Sequence, residues 1–240
     1  ICTGVCWTIS NGDCFTSDAI TVTKYPDVTL TCALDATICN GGTHTLTVSA
    51  TGGSGTYTYL WESGPSVTGP WTLIPGATGS SYTPPALTAD TYYRVTDQCG
   101  FQTCVAHITV VPDPEIISVT PDPTICSGTT ALLSVTATGG TPDLLYQWYT
   151  GTTCGGTTNE IPGATNSSYT TPNLLQTTYY RVKVWASGNG CGVDYSDCIS
   201  VFVPVITGQP SGTILCTGGT HTMNVVASSS GGSETYTYQC

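Results

Sequence analysis

Positive charge is almost missing from this chain. Lys24, Arg94, Arg181 and Lys183 are its only lysines and arginines, set against fifteen acidic residues, for a net charge of −11. Nucleic-acid binding needs clustered cations to neutralise phosphates, and attraction to an anionic membrane surface draws on the same residues. Both are excluded. Charged residues of either sign make up only 8% of the sequence, against roughly 25% in an average soluble domain. Helix formers are scarce too, with a single methionine and few Lys, Arg, Glu or Gln. No run of about 18 apolar residues occurs, so no segment reads as a membrane-spanning helix. Ile1 leads straight into Cys-Thr-Gly-Val-Cys-Trp without the apolar core of a secretory leader. If the protein is secreted, that leader is expected to have been removed or to lie upstream.

What the chain does have is Thr, Ser, Gly and Tyr in quantity, with a hydrophobic fraction of 39%. That fraction is enough to build cores, and Thr, Val, Ile and Tyr suit a pleated, half-buried surface. Thirteen cysteines are spread along the sequence. They form no paired C-x-x-C motifs at zinc spacing, so they read as disulfides of an oxidising compartment rather than metal ligands. An odd count leaves at least one cysteine free or paired outside these residues.

Internal repetition is the strongest signal. Thr37-Ile38-Cys39 recurs as Thr124-Ile125-Cys126, an offset of 87 residues. The same offset carries Leu46 to Leu133, Val48 to Val135, Trp61 to Trp148, Ile74-Pro75-Gly76-Ala77-Thr78 to Ile161-Pro162-Gly163-Ala164-Thr165, and Tyr92-Tyr93-Arg94-Val95 to Tyr179-Tyr180-Arg181-Val182. A third copy starts near Pro210, where Cys216 and Gly218-Gly219-Thr220-His221-Thr222 repeat Cys39 and Gly41-Gly42-Thr43-His44-Thr45. At the other end, Ala19-Ile20-Thr21-Val22 matches the closing His107-Ile108-Thr109-Val110. The expected organisation is the C-terminal part of one repeat at 1–23, complete repeats at 24–111 and 112–203, and the N-terminal part of another at 204–240. An incomplete unit lacks the strands its core needs, so the end pieces are expected to be completed by a longer chain or by another one. Proline-rich joints, Val111 to Pro123 and Val203 to Pro210, lock φ and are expected to be stiff. That predicts an extended rod with about 35–45 Å per domain.

Within each repeat, short alternating runs are separated by turn signals, the pattern of a β-sandwich. Leu46, Val48 and Ala50 share a face, as do Tyr57, Tyr59 and Trp61. Pro75-Gly76 fits a type II turn. Tyr93 and Val95 point inward, which turns Tyr92 outward. About seven strands in roughly 88 residues is the size of an immunoglobulin-like domain. The fold class expected is all-β: tandem, disulfide-bonded immunoglobulin-like β-sandwich domains.

The order Ile-Cys-x-Gly, Ala-Thr-Gly-Gly, Tyr-x-Trp, Ile-Pro-Gly-Ala-Thr, Ser-Ser-Tyr-Thr and Thr-Tyr-Tyr-Arg-Val resembles the immunoglobulin-like (PKD-like) repeats of large Bacteroidota surface proteins, including gliding-motility adhesins. The resemblance implies a secreted, cell-surface tandem array serving as a stalk, adhesin or fibre. Its partners would be neighbouring repeats or identical chains, and it implies no catalytic residues. In an immunoglobulin-like topology, Cys39 and Cys126 fall at the same sandwich end as the last hairpin loop, which carries Cys99 and Cys191. That predicts Cys39–Cys99 and Cys126–Cys191, each closing a loop of about 60 residues. Cys32–Cys104 and Cys154–Cys198 then remain by elimination. Four cysteines per repeat allow three connectivities, and the extra cysteines depart from the family pattern.

Catalysis finds no support. The three histidines are His44, His107 and His221, and the second repeat has Ala131 where the others have His44 and His221. A catalytic base would not be exchanged for alanine between copies, so these histidines read as solvent-facing strand residues. No G-x-S-x-G elbow is present. Carboxylates do not recur in pairs: Glu62 becomes Tyr149 and Asp90 becomes Thr177. Asp113, Glu115 and Asp122 at a joint offer oxygen ligands for calcium, without an EF-hand pattern. No cofactor is expected. Asn166-Ser167-Ser168 is a glycosylation sequon in an expected surface turn. The rival to a structural array is a carbohydrate-binding module in which outward Tyr92 and Tyr179 contact surface glycans. A third reading is the accessory region of a larger secreted enzyme.

Overall fold

Short β-strands make up nearly all the regular structure, as the Thr-, Val- and Tyr-rich runs require. The computed structural model describes residues 3–10, 15–22, 26–32, 35–97, 103–208, 212 and 214–228. The chain divides into two units, residues 1–36 with 43–109, and residues 37–42 with 110–240.

In the first unit, β1 (Thr3–Ser10) and β2 (Phe15–Val22) form an antiparallel ladder, with Val5 opposite Ile20. The sandwich follows: β3 (Thr29–Cys32), β4 (Ala36–Cys39, whose last three residues are grouped with the second unit), β5 (Leu46–Thr51), β6 (Tyr59–Gly64), β7 (Thr72–Leu73), β8 (Ser81–Tyr82), β9 (Thr91–Asp97) and β10 (Thr103–Val111). One sheet runs β3-β5-β8 and the other β4-β10-β9-β6-β7. The expected alternation holds. Leu46 and Val48 on β5, Tyr59 and Trp61 on β6, Tyr93 and Val95 on β9 and Ile108 on β10 are all buried. His44 departs from expectation: it precedes β5 and is half-buried rather than standing on a solvent-facing strand.

The second unit repeats the plan. Its strands are β11 (Glu115–Val119), β12 (Leu132–Thr138), β13 (Leu144–Gly151), β14 (Asn159–Glu160), β15 (Ser168–Thr170), β16 (Thr178–Ala186), β17 (Val193–Tyr195) and β18 (Ile199–Val201), with a 3₁₀ turn at Cys154–Gly156. One sheet is β11-β12-β15; the other is β14-β13-β16-β17, with β18 also on β16. Leu133, Val135, Trp148, Tyr180, Val182, Val184, Ile199 and Val201 fill the space between the sheets. Both units have the strand order of an immunoglobulin-like sandwich, A-B-E against C′-C-F-G.

The two cores share one constellation. Trp61 and Trp148 are 2% and 0% exposed. Each indole N–H donates to a carbonyl eighteen residues on, Trp61 to Gly79 and Trp148 to Asn166, both at 2.9 Å. Each ring meets a tyrosine of the opposite sheet, and that tyrosine meets another. Trp61, Tyr82 and Tyr93 have successive centroids 6.0 and 5.8 Å apart; for Trp148, Tyr169 and Tyr180 the distances are 6.1 and 5.9 Å. Such aromatic pairs add to the large apolar area each ring buries. The Pro-Gly turns close as expected, with Gly76 and Gly163 at φ +79° and +76°. β19 (Val205–Gly208) and β20 (Val226–Ser228) reproduce the β11–β12 ladder. Val205 faces Ser228 where Glu115 faces Thr138, and the register shift between Ile206 and Gly208 copies that between Ile116 and Ser118.

The core tyrosines give the fold an alkaline limit. Burial pushes the Tyr93 and Tyr180 phenols up to about 12, helped by the neighbouring Tyr82 and Tyr169. An unfolded tyrosine ionises near 10. Below that pH both states keep the proton and nothing is gained or lost. Between about pH 10 and 12 the unfolded chain releases protons that the folded chain retains, so stability falls. With free thiols alkylated, the denaturant midpoint should hold from pH 7 to 9 and drop steadily above 10. Tyr93→Phe should make that drop shallower. A flat midpoint up to pH 12 would contradict the burial of these phenols.

Candidate functional site

The features that distinguish this chain from a generic sandwich are its sulfurs and the outward face of its larger sheets. Cys32 at the end of β3 joins Cys104 on β10, with Cα atoms 6.2 Å apart, and so ties the two sheets of the first unit. Cys154 joins Cys198 in the second, at 5.5 Å. The remaining pairing differs from expectation. Cys39 is bonded not to Cys99 but to Cys191, with Cα atoms 4.8 Å apart, so Cys126 is not bonded to Cys191; its thiol is free and exposed. Cys99 lies outside the described residues.

The physical reason is a backbone fit that end-of-sandwich reasoning cannot see. Residues 37–42 lie inside the repeat expected at 24–111, yet they belong to the second unit. There the Cys39 N–H donates to the Asn189 carbonyl at 2.9 Å. A β-carbon on Gly42 would come within 2.5 Å of that carbonyl oxygen, and one on Gly190 would strike the Gly42 main chain. Two glycines let the loop at 188–191 lie flat on the turn at 39–42. The sulfurs then meet.

On the outward face of the first unit's larger sheet, Glu62 and Arg94 are cross-strand partners. Their ion pair is 2.6 Å long, and the guanidinium lies 4.8 Å from the Trp71 ring centroid. The pair is partly exposed, so it is worth under about 1 kcal/mol. Tyr92 does point outward, but His107, directly opposite on β10, stacks on its ring at 4.1 Å and 5°. His107 also faces the Asp90 carboxylate at 3.4 Å. The second unit carries Arg181 over Tyr195 at 4.9 Å and Lys183 over Trp185 at 4.6 Å. Tyr179 is half-buried beside Gly151, its backbone carbonyl accepting from the Thr150 hydroxyl. Thus Arg94, Arg181 and Lys183 each cover an aromatic ring, a contact worth about 0.5–1 kcal/mol at an exposed site. Trp71, Trp185, Tyr195 and the stacking His107 escaped the sequence reading. Strict alternation along β16, with Tyr180, Val182 and Val184 inward and Arg181, Lys183 and Trp185 outward, is the signal that could have found the second group.

The carboxylates weighed as calcium ligands have other partners. Asp113 accepts the Gly192 N–H at 3.0 Å and Asp122 the Ser200 N–H at 2.8 Å; Glu115 is exposed. Among the described residues, no three His, Cys, Asp or Glu side chains converge as metal ligands would, and no helix is long and apolar enough to cross a membrane. A void of about 10 Å³ beside Cys32–Cys104 is lined by Leu46, Trp61, Tyr93 and Val95, far below the several hundred Å³ of a ligand pocket.

The chain belongs to the family described as Domain of unknown function (DUF8696), whose model matches residues 28–112 and 116–205. Among solved structures it is similar to titin domains I67–I69 in an E-to-A variant, at 16% identity and a TM-score of 0.46, covering 79% of this chain and 70% of that one. Against the three N-terminal domains of the bacteriophage RB49 Highly Immunogenic Outer Capsid protein (Hoc) the figures are 12%, 0.44, 81% and 75%. Against the N-terminal four Ig domains of Dscam1 isoform 8.4 they are 13%, 0.37, 74% and 47%, so this chain spans about half of that one. No curated protein matches.

Loop-closure entropy gives the disulfides a measurable weight. Replacing Cys32 and Cys104 together by serine, or Cys154 and Cys198 together, should lower unfolding free energy by about 2–4 kcal/mol in each case. Urea unfolding followed by tryptophan fluorescence reads this directly. A midpoint unchanged from the parent would show that the bond in question does not form.

Proposed function

We propose that this chain is a non-catalytic segment of an extracellular tandem array, a structural or adhesive element of a stalk, adhesin or filament at a cell surface. The observation that carries this reading is repetition of one core at fixed spacing. The same Trp–Tyr–Tyr cluster, indole hydrogen bond and Pro-Gly turn stand 87 residues apart, and the opening ladder recurs again at β19–β20. Repeats that keep one interior while outward positions such as Glu62 and Tyr149 differ suit a building material. Disulfides within the sandwiches favour an oxidising, extracellular setting. The likeness to PKD-like repeats of Bacteroidota surface proteins supports the finer reading, in which neighbouring repeats or identical chains are the partners.

A second reading, a glycan-binding module, draws on the aromatic face of the second unit, where Trp185, Tyr195, Tyr149 and Tyr179 share a surface with Arg181 and Lys183. The rings named from sequence support it less. Tyr92 gives one face to His107, and Tyr179 is half-buried.

An antibody raised against this chain distinguishes the array reading from an internal role. On intact, unpermeabilised source cells it should decorate the exterior, and brief surface proteolysis should remove the signal. Staining that appears only after permeabilisation would overturn the proposal. On a glycan array, retention lost on Trp185→Ala would promote the second reading over the first.

A further inference from the structure

One cross-strand pair separates the outward faces of the two repeats. Glu62 stands opposite Arg94 on β6 and β9; at the repeat offset, Tyr149 stands opposite Arg181 on β13 and β16. In the first unit the arginine is answered from within the fold. Its Nε and Nη2 both donate to Glu62 Oε2, at 2.7 and 2.6 Å. In the second unit the Nε donates to the Ser196 carbonyl at 2.8 Å, and no carboxylate takes the place of Glu62. Among the described residues neither Arg181 nor Lys183 forms an ion pair, although Glu160 stands opposite Tyr149 on the next strand.

A second position changes in the same direction. Thr96 becomes Lys183, so two of the chain's four lysines and arginines stand two residues apart on one strand and one face. Rings surround them. Tyr149 flanks Arg181, Tyr195, 44% exposed, packs against its guanidinium, and Trp185 packs against Lys183. The patch is cationic on a chain whose net charge is −11. Exposed charges more than about 8–10 Å away are screened at physiological salt, so the patch and not the net charge selects what meets this face. A guanidinium fork matches a carboxylate, and flat rings with polar tips suit the faces of sugars. An acidic peptide fits less well. Extended peptides add to open sheet edges, and Arg181 sits on β16, an interior strand of its sheet.

We propose that this face of the second unit, centred on Arg181, binds the carboxylates of an acidic polysaccharide, a polyuronate, in the position that Glu62 fills in the first unit. Arg181 takes one carboxylate, Lys183 adds charge for a neighbouring one, and Tyr149 and Tyr195 border the sugar rings. The first unit's face does not bind such a polymer, because its arginine is already paired. The inference rests on the glycan-binding reading and deepens it by naming the charge of the sugar.

Biolayer interferometry of the whole chain on three immobilised polymers tests this. Polygalacturonate carries sugar rings and carboxylates, fully methyl-esterified pectin keeps the rings without the charge, and poly-glutamate keeps the charge without the rings. Binding to polygalacturonate should be at least about tenfold tighter than to either of the others, the effect of roughly one hydrogen-bonded charge. Tyr149→Glu installs the carboxylate that the first unit carries and should weaken that binding about tenfold, at a urea midpoint no lower than the parent's. Arg181→Ala should weaken it as much, and Arg94→Ala should leave it unchanged. No binding to polygalacturonate, equal binding to the ester or to poly-glutamate, or a Tyr149→Glu chain that binds like the parent would overturn the proposal. Glycan-array retention that needs Trp185 but ignores Tyr149→Glu would overturn it while leaving the glycan-binding reading in place.

Discussion

A buried indole must give its single N–H an acceptor or lose the free energy of an unpaired polar group. In each unit that requirement is met by a backbone carbonyl at the lead-in to the short strand of the opposite sheet, Gly79 for Trp61 and Asn166 for Trp148. The bond therefore sets where one sheet stands against the other. Around it the tryptophan backbone carbonyl accepts from the N–H of Ile74 or Ile161, the residue that opens the Pro-Gly turn, and the turn itself is closed by the Ala77 or Ala164 N–H donating to that isoleucine's carbonyl. Two tyrosine rings then carry the contact across to β9 or β16. The arrangement survives changes at neighbouring positions. Leu60 in the first unit is the buried Gln147 in the second, and the latter's amide finds two carbonyls of its own, on Trp148 and Ile161.

That dependence explains what could be read from sequence. Alternation with period two puts Leu46, Val48, Trp61, Tyr93 and Val95 on inward faces without knowledge of topology, and the ungapped 87-residue offset carries every one of them into the second repeat. Turn chemistry was equally legible, since Pro75-Gly76 admits few conformations. The third copy's opening ladder is recovered as well, with Val205 opposite Ser228 where Glu115 stands opposite Thr138.

The cysteines were less legible for a physical reason. A disulfide forms where two backbones approach to within about 7 Å with side chains converging, and such approaches between loops depend on atoms that periodicity does not report. Elimination from an immunoglobulin-like topology named Cys32–Cys104 and Cys154–Cys198, the bonds the structure contains. It misplaced Cys39 and Cys191 because the deciding residues were Gly42 and Gly190, whose role is to have no side chain. The outward face was half legible. Tyr92 points outward as alternation requires, but a stacking partner on the adjacent strand is a matter of register, and the register of β9 against β10 is not written in either strand alone.

Native-state hydrogen exchange of the two indole N–H groups tests the central claim most directly. If each tryptophan anchors its own sandwich, the Trp61 and Trp148 indole protons should exchange only through unfolding of their unit, with free energies matching the most protected amides of β9 and β16 respectively. Indole exchange orders of magnitude faster than those amides, in either unit, would show that the hydrogen bond to Gly79 or Asn166 is not what holds the sheets together.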